Sequence, residues 1–261
     1  MAKIEAIILD WAGTTVDYGS FAPVRAFQEV FRQYGLEPTM EETRAPMGML
    51  KIDHIRTMLQ MPRLTAEWKR VHGRLFTERD VQAMHDIFAA KLMTILHEFA
   101  APKPYVLDTV AKLRAQGYKI GSTTGYTDAM MSIVVPEAAG RGYAPDCWFS
   151  PDSTNGKGRP YPYMIFRNLM ALGVSSVRAA VKIGDTASDI REGVNAGVWT
   201  VGVLEGSSAV GVTMEEYDAM DELAREDVLR KAEKLYRDNG ADFVILNLSE
   251  LPGVLAQIEN R

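Results

Sequence analysis

Cysteine is nearly absent. The 261-residue chain has one, Cys147, so no disulfide can form within it. Its setting, Pro-Asp-Cys-Trp-Phe-Ser, reads as a short buried strand in which the thiol packs rather than reacts. A basic excess is missing too. The 29 Lys and Arg against 34 Asp and Glu leave a formal charge of −5, which argues against a nucleic-acid binder, because phosphate backbones need a basic footprint. No stretch reaches the roughly 18 apolar residues of a membrane span. The opening Met-Ala-Lys-Ile-Glu-Ala-Ile-Ile-Leu-Asp holds an apolar run too short for a span or a signal peptide, which makes the cytoplasm the expected compartment. Internal repeats and low-complexity tracts are also lacking. What remains is a chain with 47% hydrophobic residues, enough for a sizeable core, and a length that suits one large domain or a domain with a smaller insert.

The apolar pattern alternates between two periods. Ile4–Leu9, Lys119–Thr123, Ala180–Ile183, Trp199–Val203 and Phe243–Leu246 read as buried strands. Between them, Val106–Gly117 carries apolar residues at helical spacing. Thr127–Ala139, Pro162–Leu172 and Thr186–Ala196 read as helices, the last two closed by Gly173 and Gly197. Such alternation implies an α/β fold, a parallel sheet with helices on both faces and ligands at the carboxyl ends of the strands. From about Phe21 to Phe99 the strand pattern disappears and only helical patterns remain, among them 22–35 and 81–96. Pro102 and Pro104 mark the return to the sheet. The expected organisation is a core domain of residues 1–20 and 100–261 and a helical cap of residues 21–99 acting as a lid.

Four polar clusters fall just after strands or at helix starts: Asp10 with its Gly-Thr-Thr turn, "STTG" at 122–125, "GRP" at 158–160 and "GDTASD" at 184–189. Each alone is an ordinary turn. In this order they converge on one sheet edge. Asp10 and Asp185 bring two carboxylates together, which is costly in a desolvated cleft unless a cation joins them. Hard oxygens and a phosphoryl ligand suit Mg²⁺. Thr124, or alternatively Thr123, and helix-start N–H groups can hold phosphoryl oxygens. Arg159 can neutralise charge developing there, and Asp10 can attack phosphorus.

Motif order, spacing and insert resemble the haloacid dehalogenase superfamily, over essentially the whole chain. The resemblance implies a Rossmann-like core, an inserted cap and Mg²⁺ held by Asp10, the Ala12 carbonyl and Asp185, with Asp189 in support. One departure stands out. That family's first motif is usually Asp-x-Asp-Gly-Thr, and "DWAGTTVD" has Ala12 where the second acid, the proton donor to a departing alkoxide, belongs.

The insert offers a counterpart to this absence. Wound as one helix, "PMGMLKIDHIRTML" at 46–59 puts Met47, Lys51, His54 and Met58 on one apolar stripe, with Asp53, Arg56, Thr57 and Gln60 opposite. A helical lysine is ordinarily solvated or snorkelling. One paired with a histidine inside an apolar stripe is a candidate amine nucleophile, because desolvation lowers its pKa. Such an amine condenses with an aldehyde. If the aldehyde carries phosphorus on its α-carbon, the iminium accepts the C–P electrons and no alkoxide leaves, so an acid at position 12 has no task. "DWAGTTVDYGSFAP", "PMGMLKIDHIR", "KIGSTTGYT", "GRPYPYM" and "KIGDTASDIREGVNAG" together resemble the branch of the superfamily that cleaves the C–P bond of phosphonoacetaldehyde. This implies a Schiff base on Lys51, His54 and Met47 around it, Tyr126 lining the site, and a homodimer through cap helices. Ser20 stands where some relatives carry cysteine. The rival readings are a phosphatase or phosphomutase acting on a phosphate ester and a non-catalytic phosphate-binding protein.

Overall fold

The computed structural model describes residues 3–47 and 49–260. Six parallel strands form the sheet: β1 (Ala6–Leu9), β2 (Lys119–Thr123), β3 (Cys147–Phe149), β4 (Ala180–Gly184), β5 (Trp199–Val203) and β6 (Phe243–Ile245). Their order is β3-β2-β1-β4-β5-β6. The chain builds outward from β1 in one direction, then returns to β1's other side and builds the opposite way. That reversal opens a crevice at the carboxyl ends of the strands beside β1.

The residues explain the layers. In β1, Ile7 and Leu9 face one core with Val110, Leu113 and Leu255, whereas Ala6 and Ile8 face a second core with Ile165 and Leu169. This two-sided burial follows from side chains alternating along a strand with helices on both faces. Helices α1 (Phe21–Gln33), α2 (Met40–Arg44), α3 (Lys51–Gln60), α4 (Pro62–His72) and α5 (Glu78–Ile95) follow β1, and no strand lies among the described residues from 21 to 99. The remaining helices surround the sheet: α6 (Val106–Ala115), α7 (Asp128–Gly140), α8 (Tyr163–Leu172), α9 (Ala187–Ala196), α10 (Met214–Ala219), α11 (Glu222–Asp238) and α12 (Leu251–Glu259).

Several expected boundaries move by a residue or two for identifiable reasons. Thr127 and Thr186 do not begin α7 and α9 but cap them, each hydroxyl accepting an N–H of the first turn, as threonine at an N-cap does. Cys147 does lie on a strand, but β3 is a half-buried edge strand rather than a buried one. The larger correction concerns 46–59, which is not one helix. Leu50 is extended (φ −52°, ψ 138°), α3 starts at Lys51, and Met47 lies in the preceding turn after Pro46. Within α3 the expected face holds: Lys51, His54, Ile55, Met58 and Leu59 are buried.

Helices α1, α3 and α5 meet in an aromatic stack. Phe27 stacks on Phe88 with centroids 4.2 Å apart and on His54 at 3.8 Å. Phe88→Ala removes the outer ring of this stack from a fully buried site. It is expected to cost about 3–5 kcal/mol, read as a lowered denaturant midpoint.

Candidate active site

Three of the four polar clusters expected to act sit directly after a strand. Asp10 follows β1, Thr124 follows β2 and Asp185 follows β4, while Arg159 reaches in from the segment before α8. The Asp10 backbone N–H donates to the Ile183 carbonyl at 3.0 Å, which extends the β1–β4 ladder to the acid itself. Between Asp10 and Asp185 the Thr14 hydroxyl donates to both carboxylates, at 3.4 and 3.3 Å. Gly13 makes this approach feasible. It has φ +86°, and a Cβ there would lie 2.0 Å from Asp185 Oδ2.

Behind Asp10 lies a buried ionic network. Arg159 pairs with Asp10 (2.5 Å), Asp189 (3.1 Å) and Glu192 (3.1 Å). Lys182 pairs with Asp189 (2.9 Å) and Glu192 (3.5 Å). Burial opposes the charge on Arg159, but Asp10, Asp189 and Glu192 outweigh it and raise its pKa. Burial likewise works against ionised Asp189, and Arg159 and Lys182 overcome it. Asp185 is different. Burial first, then Asp10 and Asp189, push its carboxyl well above the usual range.

Asp10, Asp185 and Asp189 each bring an oxygen within 4.8 Å of the others, a donor set able to hold a cation. Asp189 is already held by two cationic side chains and by the Thr186 hydroxyl at 2.5 Å. Asp10 and Asp185 are therefore the acids with more to gain from a metal.

A cavity of about 30 Å³ sits in front of this network, bordered by Asp10, Ala12, Ser20, Met47, Lys51, Thr124, Tyr126, Arg159 and Asp185, among others. The expected residues thus meet, with two refinements. Thr123 turns away from the cavity into the ionic network: its hydroxyl donates to Glu192 at 3.0 Å and accepts from Lys182 at 2.9 Å. Thr124 borders the cavity. His54 does not border it. Its ring stacks on Phe27, Nε2 lies 2.8 Å from the Thr43 carbonyl, and Nδ1 has no partner among the described residues. Nε2 is thereby assigned the proton, since only an N–H can donate to a carbonyl.

Lys51 enters the cavity from the first turn of α3. It is 6% exposed, and its Nζ lies 5.3 Å from the Tyr126 ring centre and 5.9 Å from that of Phe27. No carboxylate among the described residues is within ion-pair distance. Burial first, then the Arg159 charge, lower its pKa to about 8. The α3 N-terminus works in the same direction, since the positive end of a helix dipole disfavours a cation.

Sequence reading missed three buried residues here. Glu192 stands seven positions after Asp185 and three after Asp189, one face of α9, and that spacing was the available signal. Lys182 lies inside the fully buried β4. Lys103, between the two prolines, donates to the Gly13 and Glu205 carbonyls and so ties the Asp10 loop to the segment after β5.

The family profile described as haloacid dehalogenase-like hydrolase matches residues 4–197. The chain belongs to that family. Among its relatives in the haloacid dehalogenase-like hydrolases is a phosphonoacetaldehyde hydrolase of Lysinibacillus sphaericus, 51% identical over 250 residues, covering 96% of this chain and 93% of that protein. Another, from Bacillus cereus, is 50% identical over 259 residues, covering 99% and 98%. A crystal structure of a phosphonoacetaldehyde hydrolase like protein from Oleispira antarctica superposes with a TM-score of 0.95 at 37% identity, over all of this chain and 94% of that one. Among the described residues, no helix is long and apolar enough to cross a membrane.

The Lys51 environment has a direct chemical consequence. Amine neutralisation proceeds as pH rises through the pKa. Trapping of acetaldehyde on Lys51 with cyanoborohydride, followed by peptide mapping, is therefore expected to rise with a midpoint near pH 8. Exposed lysines should rise only near their ordinary value of about 10.4.

Proposed function

We propose that this enzyme hydrolyses the carbon–phosphorus bond of phosphonoacetaldehyde to acetaldehyde and phosphate. One observation carries the reading: Lys51, buried and without a carboxylate in ion-pair reach, shares a cavity with Asp10, in a chain with alanine at position 12. The names of the relatives about half identical to it support the same substrate.

The chemistry follows from these side chains. Neutral Lys51 adds to the aldehyde carbon, and the resulting carbinolamine takes up a proton and expels water, giving an iminium. An Asp10 oxygen attacks phosphorus, and the C–P electron pair moves into the iminium to give an enamine on Lys51. Arg159 and the Thr124 hydroxyl stabilise charge on the phosphoryl oxygens. Water then releases phosphate from Asp10. Protonation of the enamine carbon and hydrolysis of the imine release acetaldehyde and restore the amine. His54 is a positioning residue, packed beneath Lys51 by Phe27 and Thr43. Met47 and Tyr126 exclude water around the amine.

The residues present fit a divalent cation. Burial and mutual repulsion raise Asp185 well above its ordinary pKa, and a cation held by Asp10, Asp185 and the Ala12 carbonyl answers both. Hard oxygen donors favour Mg²⁺. When bound, it supplies positive charge for the phosphoryl oxygens.

A cavity of about 30 Å³ holds no more than a water or two. We therefore read residues 21–99 as a cap that opens for substrate entry, hinged on residues 1–20 and 100–261. A homodimer through cap helices is part of the same reading. Val71 and Leu75, exposed on α4 and just after it, are apolar groups that such an interface would cover.

Phosphate release from phosphonoacetaldehyde and from a panel of phosphate esters separates this reading from an ester phosphatase and from a phosphate-binding protein. Turnover is expected with phosphonoacetaldehyde alone, lost in EDTA and restored by Mg²⁺. Lys51→Arg keeps the charge but forms no imine, since guanidinium stays protonated. It is expected to lose turnover by at least about a thousandfold, on the order of 4 kcal/mol, while its melting temperature and Mg²⁺ binding change little. Substantial activity in Lys51→Arg would exclude the Schiff base.

Ala12→Asp is expected to lower turnover rather than raise it, because an enamine leaves and a new carboxylate crowds Asp10 and Asp185. A faster enzyme would show that the leaving group does need an acid.

A further inference from the structure

Lys103 is buried, with 8% of its surface exposed, and the chemistry above gives it no task. Taking an ammonium out of water is costly. Burial lowers its pKa, and Asp185, Glu205, Asp17 and Asp10 act against that. Its hydrogen bonds nevertheless go to backbone. Nζ donates to the carbonyl of Gly13 and, at 2.7 Å, to that of Glu205. A lysine that only balanced an acid would face a carboxylate. This one joins two loops.

One of them is the loop that most needs holding. Gly13 has φ +86°, and a Cβ there would meet Asp185 Oδ2 at 2.0 Å. Position 13 is therefore restricted to glycine, the residue whose backbone is least restrained. Its N–H is fixed by the Val16 carbonyl at 2.8 Å, and its own carbonyl is fixed by Lys103. Together these bonds orient the peptide planes on either side of Gly13. One plane carries the Ala12 carbonyl. The other leads to Thr14, whose hydroxyl lies between Asp10 and Asp185.

The residues around Lys103 prepare this reach. Pro102 fixes its own φ, and Pro104 biases Lys103 towards extended backbone. The Lys103 N–H donates to the Thr15 carbonyl at 2.8 Å, and Pro102 forms an antiparallel bridge with Val16. Main chain and side chain of one short segment thus hold the Asp10 loop at two places. The turn after β5 backs the lysine stem, since a Cβ at Gly206 would lie 2.8 Å from Lys103 Cε.

We propose that Lys103 is a positioning residue for the metal, holding the Gly13 turn in the shape in which Asp10, Ala12 and Asp185 can share one cation. The proposal rests on the reading that these three residues hold that cation. It gives Lys103 no contact with substrate.

The test is calorimetric titration of Mg²⁺ into metal-free wild type and Lys103→Met, beside cyanoborohydride trapping of acetaldehyde on Lys51 in the same samples. Methionine keeps an unbranched, flexible stem but neither donates nor carries charge. Its Mg²⁺ affinity is expected to fall about 10- to 100-fold, with Lys51 trapped at the wild-type rate and turnover largely recovered at saturating Mg²⁺. Wild-type Mg²⁺ affinity in folded Lys103→Met overturns the proposal, even if the melting temperature drops. A joint loss of Mg²⁺ binding and Lys51 trapping also overturns it, because the defect is then one of the whole cavity. If Lys103→Met fails to fold, Lys103→Gln, which stays polar but is too short to keep both carbonyls, decides by the same two readouts. Wild type that binds no Mg²⁺ removes the metal reading and this proposal with it. Wild type that binds Mg²⁺ no more tightly than the variant removes the proposal alone.

Discussion

The arrangement at the sheet edge depends on Arg159. Three acids, Asp10, Asp189 and Glu192, converge there out of water. Arg159 contacts all three, and Lys182 supports the two that face away from the cavity. The guanidinium suits this task because it does not lose its proton and presents its donors in a fixed plane. Breaking such a network by removing one member leaves uncompensated buried charge, which is far more costly than the net worth of any single pair. The network therefore fixes the direction from which the Asp10 carboxylate meets the cavity.

Lys51 has the opposite electrostatic setting. Asp10 and its neighbours surround Arg159 with negative charge, whereas Lys51 meets aromatic rings, the start of a helix and the Arg159 charge itself. One cation is held firmly protonated and the other has its pKa lowered to about 8, at the same cavity. The division comes from which elements carry them. Arg159 comes from the sheet domain, where strand ends concentrate acids. Lys51 comes from helices whose inner surface is Phe27, Met58 and Phe88.

Much of this was legible in the chain because chemistry in a parallel sheet gathers at strand ends. Asp10, Thr124 and Asp185 each follow a recognisable apolar run, and Arg159 sits in a compact Gly-Arg-Pro turn. The α3 face was legible from helical periodicity, although Met47 was assigned to the helix when it lies in a turn before it. Periodicity has no means of seeing that Leu50 is extended. Glu192, Lys182 and Lys103 were overlooked for a related reason. Each is a charged residue whose partners lie on another element of the fold, and until those elements pack together such a charge looks like any surface charge. Helices α10 to α12 were passed over because they carry none of the expected chemistry.

The position of β1 constrains how the chain reaches this state. It is a central strand, yet Ile7 pairs with Ile120 on one side and Val181 on the other, with the six helices α1 to α6 intervening before the first partner appears. A nucleus cannot form around β1 from local contacts, and each pairing must close a long loop. The intervening helices are rich in short-range contacts, so their early collapse would shorten the effective loop and bring residues 20 and 100 together. In that order of events, the insert that carries Lys51 also acts as the clasp that lets the central strand find its neighbours.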